Sequence, residues 1–178
     1  MIGKDCVVDV DPACEVLDVG AGSGVIGRLL KEKQGFSNIT AIEPSEGMLV
    51  KLRETGAYKA DRRMYLGLGV DKYPDDLKGK FDVVIASGSF LAGHIPDAGF
   101  DDVHASLKTN GYFVTALRSS YWAEGQKEGY RAKCEGLFAA GKLKLVHTAN
   151  SYREEWRPRE GSEGEQIESI LLVMQRVD

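Results

Sequence analysis

"VLDVGAGSGVIG", Val16 to Gly27, sets an aspartate and four glycines between two apolar runs. Something must lie so close to this backbone that side chains are excluded. A strand ending in Asp18-Val-Gly20-Ala-Gly22-Ser-Gly24 and opening a helix at Val25 brings bare backbone and a helix N-terminus to the carboxyl edge of a sheet. A ligand can approach there without meeting Cβ atoms. Glu43 closes the next apolar run, "ITAIEPSEGML", about twenty residues further on, where a carboxylate can accept hydrogen bonds from a ribose diol. Glycine loop plus acidic strand end implies an adenosine-bearing ligand. The competing explanations are a tight turn with no ligand, and for Glu43 a solvated acid at a helix start.

Outward from this loop, short Val- and Ile-rich runs alternate with stretches of helical spacing, which indicates an α/β fold. The strand candidates are "EVLDVG", "NITAIE", "RMYLGL", "FDVVIAS" and "GYFVTALR", apolar enough to be covered on both faces as in a parallel sheet. Helices are expected over about Val25 to Lys33, with Val25, Ile26, Leu29 and Leu30 on one side, and over about Pro96 to Leu107, burying Phe100, Val103 and Leu107. A further helix near Gln126 to Ala140 carries Tyr130, Cys134, Leu137 and Phe138 on one stripe. "KLKLVHTANSY" and "ESILLVMQRV" then follow with only the polar "REEWRPREGSEGEQ" between them, so they should pair antiparallel across an exposed loop. The expectation is one Rossmann-like domain over 1–178, a seven-stranded, mostly parallel sheet with helices on both faces and an antiparallel last strand. Its cofactor-binding half runs over about 14–90 and its acceptor-side half over about 91–178.

Composition excludes several classes of partner. A formal net charge of -4 offers no broad basic field for nucleic-acid phosphates or anionic lipid. Cys6, Cys14 and Cys134 make neither a Cys-x-x-Cys pair nor an even disulfide set, and His104 and His147 have no partners at metal-ligand spacing, so no metal is expected. No uncharged apolar run is long enough to span a bilayer and no leader pattern opens the chain, so cytoplasm is the expected compartment.

"GSGVIG" by itself also fits the dinucleotide fingerprint Gly-x-Gly-x-x-Gly. The fuller pattern, with Asp18 two residues before the first of Gly20-x-Gly22-x-Gly24, resembles motif I of the class I S-adenosylmethionine-dependent methyltransferases. "EPSEGML" is similar to the second-strand end of that family, "FDVVIASGSF" to its fourth strand, and "LKTNGYFV" to its "LKPGG" turn, with Thr109 and Asn110 in place of Pro and Gly. The resemblance implies S-adenosyl-L-methionine as cofactor and S-adenosyl-L-homocysteine as product. It implies that Gly20, Ala21, Gly22 and Gly24 fold around the amino-acid end, that Asp18 orients the ammonium and that Glu43 takes the ribose. It further implies that Pro44, Ser45 and Met48 follow the ribose-binding acid, Met48 placed to pack on the adenine, and that Ala86, Ser87 and Gly88 face the methionine part and the reacting methyl. Many relatives place an acid for the adenine amino group where this chain has "YLGLGVD", so the backbone of Gly67 and Leu68 is expected to read the base.

The run "DDVHASLKTNGYFVTALRSSYW", with the Tyr-bearing helix and the hairpin through Trp156, is similar to the methyltransferase-like protein of the Williams-Beuren syndrome region. Related proteins carry covering helices before the first strand, whereas here that strand opens too near Met1, so the lid is expected to be missing. For the acceptor, a small molecule or a protein side chain, His94 is a candidate base, though a surface or capping histidine explains it as well. Arg118, Tyr121 and Trp122 could grip an anionic or planar acceptor, or simply pack. The rival functions are a nicotinamide-dependent oxidoreductase and a non-catalytic cofactor-binding interaction protein; a monomer or weak dimer is expected.

Overall fold

The computed structural model of the chain describes residues 7–154 and 166–178. In chain order its elements are β1 Val16–Val19, α1 Val25–Gln34, β2 Ile39–Ile42, α2 Glu46–Glu54, β3 Ala60–Arg62, β4 Phe81–Ser87, α3 Gly99–Ser106, β5 Leu107–Arg118, α4 Ser119–Trp122, α5 Tyr130–Ala139, β6 Leu143–Glu154 and β7 Gln166–Arg176. The seven strands form one sheet in the order β3-β2-β1-β4-β5-β7-β6. β3, β2, β1, β4 and β5 run parallel, and β7 lies antiparallel to both β5 and β6. This is the expected mostly parallel sheet with an antiparallel last strand. Strand order reverses at β1, which pairs with β2 on one side and β4 on the other, so the crevice of the fold opens at their carboxyl ends.

The central strands are apolar throughout because both faces are covered. Successive β4 residues enter opposite layers: Val84 and Ala86 pack with Phe90, Phe100, Phe113 and Tyr130, while Val83 and Ile85 pack with Val16, Phe36 and Ile39. On the first side, Phe90 stacks at a tilt on Phe100 with centroids 4.4 Å apart and meets Tyr130 edge-on at 5.7 Å. That aromatic layer fixes the chain just after β4, where the site lies.

Several boundaries move. The third strand was expected at "RMYLGL", yet β3 is the polar Ala60–Arg62. It pairs only with β2 and lies at the sheet edge, so it has no need of an apolar run. Met64 and Leu66, which suggested a strand, instead pack onto the core from a loop. Val25 and Leu29 are exposed, leaving Ile26 and Leu30 as the packing side of α1. α3 starts at Gly99 rather than Pro96, and α5 at Tyr130 rather than Gln126. Asn110 holds φ 66° inside β5, in the irregular stretch between the pairs Phe81–Leu107 and Val83–Tyr112; asparagine tolerates this left-handed conformation better than most side chains.

Most of "REEWRPREGSEGEQ", including Trp156, lies outside the described residues, as does Cys6. Residues 7–15 hold no helix, and the first six residues are likewise outside the description. No helix among the described residues is long and apolar enough to cross a membrane.

Candidate active site

The glycines of the opening motif have different neighbours. A Cβ at Gly20 would stand 2.5 Å from Cβ of Ser89, in a backbone already at φ +65°. At Gly24 it would meet the Tyr58 ring at 2.9 Å and Leu52, and at Gly27 it would overlap Cζ and the hydroxyl of Tyr58. Protein, not ligand, therefore demands three of the four glycines. Gly22 is the exception: it needs glycine for φ +57°, and a Cβ there meets nothing within 4 Å.

Two carboxylates organise this loop from below. Glu43, at the end of β2 and 8% exposed, accepts the Gly22 N–H on Oε2 and the Ser45 N–H on Oε1, both at 2.9 Å. The same ends are stitched by Gly20 and Ala21 N–H donating to the Ile42 carbonyl at 2.8 and 3.1 Å. Asp18 is buried beneath the loop, and its Oδ2 accepts from the Tyr58 hydroxyl at 2.7 Å. That hydroxyl in turn accepts the Gly27 N–H at 3.0 Å, so one tyrosine links the strand acid to the first turn of α1. Burial pushes the Asp18 carboxyl up to about 6, against the Tyr58 hydrogen bond, with the Glu43 charge adding to the rise. Burial and the Asp18 charge hold the Tyr58 phenol protonated.

Above the loop opens a cavity of about 460 Å³, lined by Gly20, Gly22, Glu43, Pro44, Ser45, Met48, Met64, Tyr65, Leu66, Gly88, Ser89, Gly93, His94 and Ile95. Ser45 caps α2, its hydroxyl accepting from Met48 N–H at 3.4 Å, and this sets Met48 on the rim. The structure thus brings Gly20, Gly22, Glu43, Pro44, Ser45, Met48, Gly88 and His94 together. Asp18, Ala21, Gly24, Ala86 and Ser87 lie outside the lining. Gly67 and Leu68 also stand elsewhere: the Gly67 N–H donates to Asp102 Oδ2 at 2.6 Å and its Cα packs on Pro96, while Leu68 lines a separate hollow. Met64, Tyr65 and Leu66 form the wall expected of them.

A family model described as "Methyltransferase domain" matches residues 17–113, from inside β1 to the middle of β5. The chain belongs to the methyltransferase domain family. Among similar proteins, the malonyl-[acyl-carrier protein] O-methyltransferase of Geobacter sulfurreducens is 26% identical over 133 residues, covering 75% of this chain and 49% of that protein. The ribosomal protein L11 methyltransferase of Staphylococcus saprophyticus is 30% identical over 101 residues, covering 57% of this chain and 31% of that protein. This chain thus spans half or less of the length of each. A SAM-dependent methyltransferase from Methanosarcina mazei superposes with TM-score 0.68 at 15% identity, covering 94% of both chains, a likeness of fold.

On the far side of this cavity, Gly93, His94 and Ile95 are shared with a second groove of about 580 Å³. Its other walls are Leu91, Ala92, Pro96, Asp97, Lys127, Glu128 and Tyr130. His94 is exposed at this junction, with Nδ1 3.4 Å from the Ala92 carbonyl. Arg118 is exposed and lines neither space. Tyr121 and Trp122 are partly buried against the core, Tyr121 meeting the Tyr130 ring edge-on at 6.2 Å, and neither lines either space. Tyr58, Ser89, Asp97 and Glu128 carried no sequence signal, because each acts through a partner distant in the chain or through a loop. Among the described residues, His, Cys, Asp and Glu form no group able to hold a metal.

Proposed function

We propose that this methyltransferase domain uses S-adenosyl-L-methionine, held in the cavity over Gly22 and Glu43, and passes its methyl group to an acceptor in the adjoining groove. The observation that carries the reading is the meeting, in one cavity, of open backbone at Gly22, the Glu43 carboxylate and the apolar Met48, Met64 and Leu66. The residues fit the group: about 460 Å³ lies within the usual ligand-site range of about 300–1,000 Å³. Each Glu43 oxygen already accepts one backbone N–H and retains capacity for a second donor, so ribose hydroxyls can be added without releasing the loop. The thioether and apolar side chains suit a purine face. Gly22 leaves backbone open toward the amino-acid end, with Gly20 and Gly88 in the same wall, and Asp18 serves from beneath by fixing α1 through Tyr58.

When bound, the cofactor supplies a methyl group on a sulphonium centre. Transfer of that methyl to an acceptor lone pair would leave the carbon–sulphur electron pair on sulphur, with S-adenosyl-L-homocysteine as the product. The chain's own work is alignment and exclusion of water by the loop walls. His94, lining both spaces, is in place to take the acceptor's proton. The family match favours methyl transfer over the nicotinamide and non-catalytic readings. The acceptor is a small molecule or a protein side chain, and the two relatives, a malonyl-[acyl-carrier protein] and a ribosomal protein methyltransferase, agree on no class. The reading includes one domain over 1–178, the Williams-Beuren-like subgroup supported by the run through "SSYW", a cytoplasmic setting and a monomer or weak dimer. Calorimetry tests it: S-adenosyl-L-methionine and S-adenosyl-L-homocysteine should bind and NAD should not, and binding of NAD alone would overturn it.

A further inference from the structure

The groove beyond His94 has an unusual balance of charge and partners. The Glu128 side chain is only 8% exposed, yet no hydrogen-bond donor among the described residues reaches its carboxylate. Its one charged neighbour there is Lys127, whose Nζ stands 3.9 Å from Oε1, outside hydrogen-bonding reach, on a side chain 85% exposed to solvent. Asp97 is similar: Oδ1 accepts the Ala98 N–H at 2.9 Å, while Oδ2 faces Gly129, 3.4 Å from where a Cβ would stand, with no donor among the described residues. A larger residue at 129 would crowd that oxygen, and φ +71° there favours glycine as well. The charge of both acids reaches the same wall. The Tyr130 phenol is pushed up to about 12 chiefly by burial, then by Glu128, with Tyr121 and Asp97 adding to it.

Solvent still reaches the Glu128 carboxylate, and with no donor among the described residues holding it, an arriving cation can replace that water by a direct ion pair. We propose that Glu128, with Asp97, selects a methyl acceptor carrying an ammonium group, held in the groove that joins the cofactor cavity at Gly93, His94 and Ile95. This rests on the cofactor reading for which space receives the methyl donor. It adds the acceptor class, a primary amine or a lysine side chain, to a site where the relatives' names leave it open. Because an ammonium has no lone pair, the held nitrogen passes one proton to His94 before it bonds to the methyl carbon, the carbon–sulphur electrons staying on sulphur. The ammonium supplies the donors that Glu128 lacks, and Lys127, flexible and exposed, swings away without loss of a hydrogen bond. The walls provided by Leu91, Ile95 and Pro96 accommodate the apolar part of such a molecule.

The test titrates the full chain, with and without saturating S-adenosyl-L-homocysteine, with phenethylammonium, the isosteric 2-phenylethanol, phenylacetate and N-acetyl-lysine amide, following amide NMR shifts around residues 127–130. The ammonium probes should bind about tenfold or more tightly than the alcohol, with phenylacetate weakest. Whichever ammonium probe binds better distinguishes a free amine from a protein side chain. Glu128→Gln should bring the amine within about twofold of the alcohol while leaving the S-adenosyl-L-homocysteine isotherm intact. Lys127→Met, at an exposed position safe for folding, should move the amine the other way, to tighter binding. Equal affinity for amine and alcohol, or a Glu128→Gln variant that keeps the preference, overturns the proposal. So does a Glu128→Gln effect confined to the sulphonium donor relative to its thioether product, which would make the acid a partner of the cofactor. Failure of S-adenosyl-L-homocysteine to bind would instead sink the cofactor reading and leave the amine comparison on the bare protein to decide this one.

Discussion

Glu43 and Glu128 both line the joined cavities, yet the chain treats them in opposite ways. Glu43 is buried and receives backbone N–H groups on both oxygens; Glu128 is partly buried and receives none from the described residues. The first acid is part of the scaffold of the cofactor edge, while the second is left for something that the described chain does not provide. A region held by backbone hydrogen bonds can be rigid before any ligand arrives, and a region of underused charge is shaped by what it binds. The cofactor edge and the acceptor groove differ in that way, although they share a wall.

The contrast is tested most severely by breaking the cofactor edge where protein closes on itself. Gly20→Ala places a Cβ 2.5 Å from Ser89 in a backbone at φ +65°, so overpacking and left-handed strain act together. We expect a loss of about 2–5 kcal/mol in urea unfolding. Gly22→Ala, at φ +57° with nothing within 4 Å, should lose only about 1–2 kcal/mol while weakening S-adenosyl-L-homocysteine more than its stability change explains. Equal stability losses at the two positions would mean that the loop is not divided into closed and open glycines.

That division explains what was legible in the sequence. The loop, the strand order of the first half and the antiparallel end could be read because glycine conformations, apolar runs and short connections are local properties. The partners of the glycines could not. Tyr58 lies 31 residues from Gly27 and 40 from Asp18, and a lone tyrosine has no spacing that reveals such a contact. β3 escapes notice because an edge strand lacks the apolar pattern by which strands are recognised, and with that shift Met64–Leu66 line the cavity while Gly67 and Leu68 stand outside its lining. Tyr121 and Trp122 follow a strand end, and their partial burial against Tyr130 and the core is a tertiary contact that their place in the sequence does not announce. On the acceptor side Asp97 and Glu128 sit in loops without motif, so only their placement around one groove gives them meaning.

The second prediction concerns Asp18, the acid buried under the cofactor edge. Its carboxyl is raised from 3.8 to about 6 by burial, so between these values the folded chain holds a proton that the unfolded chain has released. Its contribution is therefore greatest below pH 4 and is lost as pH rises through about 6, a decline on the order of 2–3 kcal/mol. Asp18→Asn keeps an acceptor for the Tyr58 hydroxyl and removes the titration. Urea midpoints of the two proteins should diverge in favour of the variant between pH 4 and pH 7. A wild-type chain that gains on the variant over that range would show an ionised, well-solvated or paired Asp18, and the cofactor edge would then be less dry than described.

The smallest effects return to the two glutamates and separate them by sign. Glu43→Gln offers one carbonyl oxygen and one NH₂ to two backbone N–H donors, so either Gly22 or Ser45 is left facing a donor, at a cost of about 1–3 kcal/mol in stability. Glu128→Gln loses no hydrogen bond among the described residues and removes a nearly buried charge whose partner stands 3.9 Å away. Its stability should be unchanged or raised by up to about 1 kcal/mol at neutral pH. Urea unfolding of both variants in one buffer makes the comparison direct, and raised salt sharpens it, because screening should shrink the Glu128 effect and leave the Glu43 loss in place. If Glu128→Gln costs as much as Glu43→Gln, the groove acid is a bonded part of the scaffold, and the distinction between a built edge and a waiting one fails at the residue on which it depends.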